Sequence, residues 1–359
     1  KEYDVVILDE ASMAYVPQSA FAASLAKHVI ICGDFKQLPP IASARHELVE
    51  KWLKEDVFHR TGVADNVHAS RLHPHLFLLK EQRRMHPDIS AFTNKYIYHS
   101  LVGDHPSVQK NRQSIAGQRP FPDQASVLLN TSYTGEHAFM EKSSRSRINL
   151  WHLLQAFQLI HEAYMEGGRS IGYISPYRAQ AQWMDMLLQD IYGAELQTAE
   201  IVSATVHRFQ GSEQDTIIFD SVDSFPLERP GMLLVGKESE RLLNVAITRS
   251  KGKFIHICDS QYIKKKVSYN KIIRKLVDYQ EESQFHVQPH QVGSWIKHQH
   301  PKVQWMHARK WDRVMEDMKR SAHSITIGIQ NSIALPEEWR SYLTKWKNKV
   351  SIITKEVTF

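Results

Sequence analysis

Val5-Val6-Ile7-Leu8-Asp9-Glu10-Ala11-Ser12 is the stretch on which the rest of the chain turns. Four consecutive aliphatic residues predict a buried strand of a parallel sheet, and two carboxylates directly after it fall at the mouth of an α/β sheet, where ligands bind. An aspartate there suits Mg²⁺, held directly or through water, and the adjacent glutamate suits a water that attacks a phosphate. This is the pattern of a Walker B motif. Acidic pairs also end strands simply because they are solvated, so the assignment depends on the residues further along the chain.

A second apolar strand, around Val29 to Cys32, runs into Gly33-Asp34-Phe35-Lys36-Gln37-Leu38-Pro39-Pro40. A glycine and two prolines make a rigid turn, and Gln37 supplies an amide able to reach a phosphate or the attacking water. An ordinary strand-to-loop turn explains the glycine and the prolines but not the polar trio between them.

With these two blocks the chain resembles superfamily 1 helicases, in the 1B branch that contains the RNA-surveillance helicase and the DNA replication helicase-nuclease. Asp9 to Ser12 resembles motif II and Gly33 to Pro40 motif III. Glu81-Gln82-Arg83-Arg84-Met85-His86-Pro87 is similar to the QYRMHP motif, and Ser175-Pro176-Tyr177-Arg178-Ala179-Gln180 to the TPYxxQ segment. Val206-His207-Arg208-Phe209-Gln210-Gly211-Ser212-Glu213 resembles motif V, and Leu243-Asn244-Val245-Ala246-Ile247-Thr248-Arg249-Ser250 motif VI. All six stand in the family's order.

The resemblance implies an ATP-driven helicase or translocase acting on single-stranded DNA or RNA, moving 5′ to 3′, with ATP and Mg²⁺ as cofactors. It assigns Asp9 to Mg²⁺, Glu10 to the attacking water, and Gln37 to sensing the γ-phosphate. Gln82, Gly211 and Glu213 would bind the nucleotide, Glu213 through the ribose hydroxyls. Pro39, Pro40, Pro176, Tyr177, His207 and Arg208 would lie along the nucleic acid. Arg84 and Arg249 need no family argument alone: planar bidentate guanidinium groups neutralise charge that develops as a phosphoryl bond breaks. Two departures stand out. Arg83 occupies the motif's tyrosine position, so either a contact made by that ring is lost or Arg83 replaces it by cation stacking, and His207-Arg208 is basic where the family commonly has a small or acidic pair.

No G-x-x-x-x-G-K-[ST] segment occurs in the sequence; Gly236-Lys237 and Gly252-Lys253 lack its following hydroxyl, having Glu238 and Phe254 there. In the family that phosphate-binding loop precedes motif II, so the resemblance implies a fragment that begins after it and does not hydrolyse ATP alone. A second reading stays open: a nucleic-acid-binding or scaffold module without turnover, or the helicase part of a helicase-nuclease fusion in phage defence. Asp9, Glu10, Gln37 and both arginines favour the motor, since a dead one has no need of them.

At 359 residues, with 42% hydrophobic and 23% charged residues, the chain has the length of two or three domains and an ordinary globular composition. No run approaches the apolar length of a membrane span, so no membrane partner and a cytoplasmic location are expected. The two cysteines, Cys32 and Cys258, both fall at strand positions and predict buried free thiols. Twenty histidines carry no metal-ligand spacing. Net charge is +6, yet residues 260–359 hold 18 Lys and Arg against 9 Asp and Glu. That concentration suits a phosphate backbone, with Trp295, Trp305, Trp311, Trp339 and Trp346 either stacking on bases or filling a core.

The expected fold is α/β: tandem RecA-like parallel-sheet layers, the first truncated, then a small α/β segment. Residues 1–75 would complete the first RecA-like domain and 76–260 the second, with helix and linker over 261–290 and a basic α/β segment over 291–359. Strands are expected at Val127 to Leu129, Ile171 to Ile174, Ile201 to Ser203, Thr216 to Phe219 and Phe254 to Cys258. Helices are expected at Ser146 to Glu166, Ala179 to Tyr192 and Gln261 to Glu282. The polar stretch Gly103 to Gln124 reads as an insertion or mobile loop. Beyond the linker, a helix from Ala308 to Ala322, strand Ser324 to Ile329, helix Pro336 to Lys347 and strand Val350 to Thr354 resemble the opening half of a phospholipase D-like domain. Its HxKxxxxD signature is not matched, since His300-Pro301-Lys302 is followed by His307 at the aspartate position.

Overall fold

In the computed structural model, which describes residues 2–69, 71, 73–134, 137–193, 199–289, 291, 325–331, 344 and 350–356, the opening strand forms as its sequence predicts. β1 (Tyr3–Leu8), α1 (Val16–Ser24) and β2 (Ala26–Ile31) make a βαβ unit, with Pro17 in the first turn of α1. Three short helices follow, α2 (Glu47–Leu53), α3 (Val57–Arg60) and α4 (Val63–His68), then β3 (Glu81–Gln82), α5 (Pro87–Tyr96), β4 (Gly103–Asp104) and α6 (Ser107–Ala116). Next come β5 (Ser126–Asn130), β6 (Ala138–Met140), β7 (Arg147–Asn149), α7 (Leu150–Met165), β8 (Ser170–Ser175), α8 (Arg178–Tyr192) and β9 (Glu200–Thr205). The remainder is α9 (Val206–Phe209), β10 (Gln214–Asp220), α10 (Met232–Val235), α11 (Ser239–Thr248), β11 (Ser250–Cys258), α12 (Ser260–Lys266), α13 (Ile272–Ser283) and β12 (Phe285–Val287). These belong to one compact unit, Lys1–Lys297; a second, His298–Phe359, contains β13 (Ile325–Asn331) and β14 (Val350–Glu356).

β1 and β2 pair in parallel, Val6 opposite Val29 and Leu8 opposite Ile31. The expected burial does not follow, because Val5 is 49% and Ile7 65% exposed. Only two strands make up this sheet, and among the described residues no further strand flanks them. Cys32, just after β2, is exposed for the same reason, while Cys258 is a buried free thiol as expected.

The main sheet has six parallel strands in the order β12-β5-β11-β10-β8-β9. Both its faces are covered, so its strands are near-continuous aliphatic runs. Leu128, Ile217, Phe219 and Phe254 face α5, α11 and α13, while Val127, Leu129, Ile218, Ile255 and Ile257 face α7 and α8. From β8 the chain crosses outward to β9, and from β10 inward to β11. Their C-terminal ends therefore flank a topological switch point.

Four sequence expectations change. Residues 103–124 are not a loose insertion: α6 buries Val108 and Ala116, Ile115 packs against Gly252, and the buried Lys253 ammonium donates to the carbonyls of Gln118, Pro120 and Phe121 at 2.5, 2.7 and 2.9 Å. α7 starts at Leu150 rather than Ser146, because Arg147–Asn149 pairs with β6 and Asn149 then caps the helix, accepting from the His152 amide at 3.1 Å. It ends as expected at Gly167, whose φ of +94° suits glycine. The single helix expected over Gln261 to Glu282 is two, and β12 extends the sheet edge where a linker was expected. β13 and β14 pair in parallel, Ile325 opposite Val350. The helices expected around them (apart from Thr344, which is helical), the five tryptophans and the His300 segment lie outside the described residues.

Candidate nucleotide site

Gln214 of β10 pairs with Ser250 of β11, so the residues just before these strands, Glu213 and Arg249, emerge side by side at the N-terminal end of the main sheet. Arg249 is also the residue after α11. That helix presents a polar stripe with helical spacing to the segment following β2. Glu240 accepts from Lys36 Nζ at 3.2 Å; Arg241 Nη2 lies 3.0 Å from His59 Nε2; Asn244 Nδ2 donates to the Lys36 carbonyl at 3.0 Å. Arg249 Nη2 donates to Gln37 Oε1 at 3.3 Å. With Nε2 facing a guanidinium, His59 carries its proton on Nδ1, 2.7 Å from Asp56.

Arg249 is 1% exposed. Its other partners are the Ser212 carbonyl and the Thr248 hydroxyl, both at 3.2 Å, and its Nε has none among the described residues. Among the described residues no carboxylate lies within 4 Å of it. Burial, reinforced by the neighbouring Arg84 cation, pushes its pKa down to about 10, against the pull of Glu10, Tyr98 and Asp34. A buried cation held only by neutral acceptors is unfavourable until an anion arrives. The geometry suits a phosphate.

Arg84 reaches the same place from the other side. Its Nε donates to Glu213 Oε2 at 2.7 Å and its Nη1 to the Thr248 carbonyl at 3.2 Å. Gln82 shapes the loop that aims it: Oε1 accepts from the Arg84 and Met85 amides, each at 2.8 Å, while Nε2 donates to the Met85 carbonyl and to Asp104. The Gln82 side chain is thus engaged inside its own loop. Glu213 accepts from Arg84 and lies 3.3 Å from Lys251 Nζ. Partial burial would raise its pKa, but these two cations outweigh that and hold the carboxyl below its usual range. Gly211 has a φ of +83°, which explains the glycine. Arg83 is exposed and faces Glu81 at 3.9 Å; among the described residues it stacks on no ring.

The opening carboxylates adjoin this cluster. Ala11 donates to the Cys32 carbonyl at 2.9 Å, and a Cβ on Gly33 would come within 2.9 Å of the Phe58 ring and 3.2 Å of the Ala11 amide. Only glycine lets the two loops approach so closely. Ala11 and Ser12 are buried while Asp9 and Glu10 are exposed, and Glu10 has a φ of +51°. One Asp9 oxygen accepts the Glu10 amide at 2.9 Å, and among the described residues the other has no partner. Among the described residues no three His, Cys, Asp or Glu side chains cluster as a metal cage. A lone carboxylate suits Mg²⁺, which keeps its waters and takes phosphate oxygens from the nucleotide.

The six residues expected along nucleic acid are scattered. Pro39 is half-buried and Pro40 buried in the loop after β2. Pro176 and Tyr177 are buried at the switch point, at the opposite end of the main sheet, with the Arg147 guanidinium 5.7 Å from the Tyr177 ring centre. A Cβ on Gly231 would lie 1.9 Å from the Tyr177 hydroxyl. His207 is half-buried, its pKa lowered by that burial, and Arg208 is exposed. Of the six, Arg208 alone presents an open surface.

Two AAA domain family models match the chain, one over residues 61–261 and one over residues 1–45. The chain belongs to this AAA domain family of superfamily 1B helicases. Among its relatives, the rat DNA-binding protein SMUBP-2 is 27% identical over 283 residues, 77% of this chain and 26% of that protein. The Drosophila melanogaster regulator of nonsense transcripts 1 homolog is 26% identical over 279 residues, 76% of this chain and 22% of that protein. Schizosaccharomyces pombe helicase sen1 is 28% identical over 287 residues, 77% and 16% of the two chains. The chain therefore spans about a quarter or less of the length of these relatives.

Several residues of this helicase-family site escape the motif reading. Tyr98 and Lys251 bind motif residues directly, and Asp34, Lys36 and Asn244 lie within quoted blocks without an assigned role. Asp34 and Lys36 carry a signal, as polar residues inside a rigid turn. Tyr98 carries none, because nothing in Tyr96-Ile97-Tyr98 separates it from a core aromatic.

Proposed function

We propose that this chain supplies the catalytic carboxylates, phosphate sensor and arginine pair of an ATP-driven motor that moves 5′ to 3′ on single-stranded DNA or RNA in the cytoplasm. The observation that supports it best is Arg249, a buried guanidinium without a carboxylate partner among the described residues, bonded to Gln37 and within electrostatic reach of Glu10. In this reading Mg²⁺-ATP is bound beside Asp9, and Glu10 takes a proton from the attacking water. Arg249 and Arg84 exchange their present partners for γ-phosphate oxygens, Arg84 leaving Glu213 to Lys251 and to the ribose. Gln37 turns its amide from Asp34 to the phosphate. These 359 residues contain no phosphate-cradling G-x-x-x-x-G-K-[ST] segment, so hydrolysis calls for a loop supplied outside them.

The test is strand-stimulated ATP hydrolysis by a form of the protein that includes such a loop, with DNA and RNA as separate stimulants. Glu10→Gln is expected to lower turnover by ~10²–10⁴-fold, the usual worth of a positioned general base. Absence of strand stimulation, or full activity in Glu10→Gln, overturns the motor.

A further inference from the structure

Asp34 gathers an unusual number of donors. Its Oδ1 accepts the Lys36 amide at 2.9 Å, and its Oδ2 accepts both Gln37 Nε2 at 3.2 Å and the Tyr98 hydroxyl at 2.5 Å. Tyr98 follows α5 and is far from Asp34 in sequence. Its hydroxyl also accepts from Asn244 Nδ2 at 2.8 Å, which at the same time donates to the Lys36 carbonyl. One phenol therefore joins the loop after β2 to α11, the helix that ends at Arg249. Burial and the adjacent Asp34 raise its pKa well above the usual value, so it remains a neutral donor.

The bond lengths divide this network in two. Both bonds of the Gln37 amide are long, 3.2 Å to Asp34 and 3.3 Å from Arg249, whereas those through Tyr98 are 2.5 and 2.8 Å. Gln37 is the member able to leave. When its Nε2 departs, Asp34 keeps the Tyr98 hydroxyl and the Lys36 amide, so its carboxylate stays satisfied and the loop stays on α11. Without the hydroxyl, Gln37 would be the only side-chain donor to Asp34 among the described residues. Asn244, whose Oδ1 already has no partner among the described residues, would also lose an acceptor.

We propose that Tyr98 and Asn244 are positioning residues, a hydroxyl-centred bridge that holds Asp34 in place so that Gln37 is free to pass from Asp34 to the γ-phosphate of bound ATP. This rests on the motor reading, and two readouts keep the two apart. Tyr98→Phe retains the ring and removes only the bridge. Hydrogen exchange on this chain is expected to rise several-fold at the Lys36 and Gln37 amides, with β1 and β2 unchanged. In a form with a phosphate-binding loop, kcat is expected to fall about tenfold, the worth of a hydrogen bond to a charged group, with KM for ATP within about twofold. Asn244→Ala acts through the same bridge, so the double variant should be no worse than the more severe single one. Unchanged exchange at Lys36 and Gln37, a loss in KM alone, or additive losses in the double variant each overturn the bridge. If the wild-type protein hydrolyses no ATP, the motor reading fails while the exchange experiment still decides the bridge.

Discussion

At the C-terminal end of the main sheet Arg147 donates to Asp223 at 2.7 Å, while at its N-terminal end Arg249 has no carboxylate within 4 Å among the described residues. Asp223 is fully buried and also accepts the Gly231 amide at 2.7 Å. Burial pulls the Arg147 pKa down, but Asp223 more than offsets it and the net direction is up. For Arg249 burial prevails and the pKa falls to about 10. The same side chain, at the two ends of one sheet, is a satisfied structural element in one place and an unmet demand for an anion in the other. Burial alone does not mark a functional arginine; burial without a counter-charge does.

Exchanging each arginine for alanine should separate the two roles. Arg249→Ala is expected to lower strand-stimulated turnover by ~10³-fold or more, on the scale of an arginine finger, with little loss of folding. Turnover near wild type would erase the contrast. Arg147→Ala should do the reverse, costing ~3–5 kcal/mol because Asp223 is left buried without its partner. Urea unfolding measures this, and a cost below ~1 kcal/mol would show that the ion pair is not structural.

An anion sharpens the same comparison. Inorganic phosphate at ten times its dissociation constant should stabilise the wild-type chain by about 1.4 kcal/mol and leave Arg249→Ala unaffected. Equal stabilisation of both would place the anion elsewhere. The smallest effect concerns Lys253, a third buried cation, held by carbonyls alone and pushed by burial down to about 8. Its ordinary value of 10.5 applies in the unfolded chain, so between these values the unfolded state binds more protons and stability rises with pH. Relative to Lys253→Met, the wild type should gain on the order of 1 kcal/mol between about pH 7.5 and about pH 9.5. A flat difference across that window removes Lys253 from the set.

Strand positions were legible because parallel strands covered on both faces must be aliphatic, and β5, β8, β9, β10 and β11 all formed within a few residues of expectation. Burial of β1 was not legible. Val5 and Ile7 have the same aliphatic character as Ile217 and Ile218, and only the number of neighbouring strands separates 65% exposed from none. Residues 103–124 misled because their polar composition hides an anchor, Lys253, supplied from more than a hundred residues away. The motif resemblance marks Gln82 and Glu213 as nucleotide contacts, and here both are engaged with protein groups. It places Tyr177 along the nucleic acid, and in the fold that ring lies buried.

By itself the sequence determined the α/β class, the order of the motif blocks and the residue types able to do phosphate chemistry, since local periodicity and short spacings are properties of the chain. Which of those residues meet, and in what electrostatic state, was decided only by the tertiary structure. Gln37, Arg84, Glu213 and Arg249 are neighbours because a loop, a helix and the starts of two parallel strands converge at one sheet end. Whether a guanidinium there is paired or left waiting depends on which carboxylates the fold brings within reach, and no spacing along the chain records that.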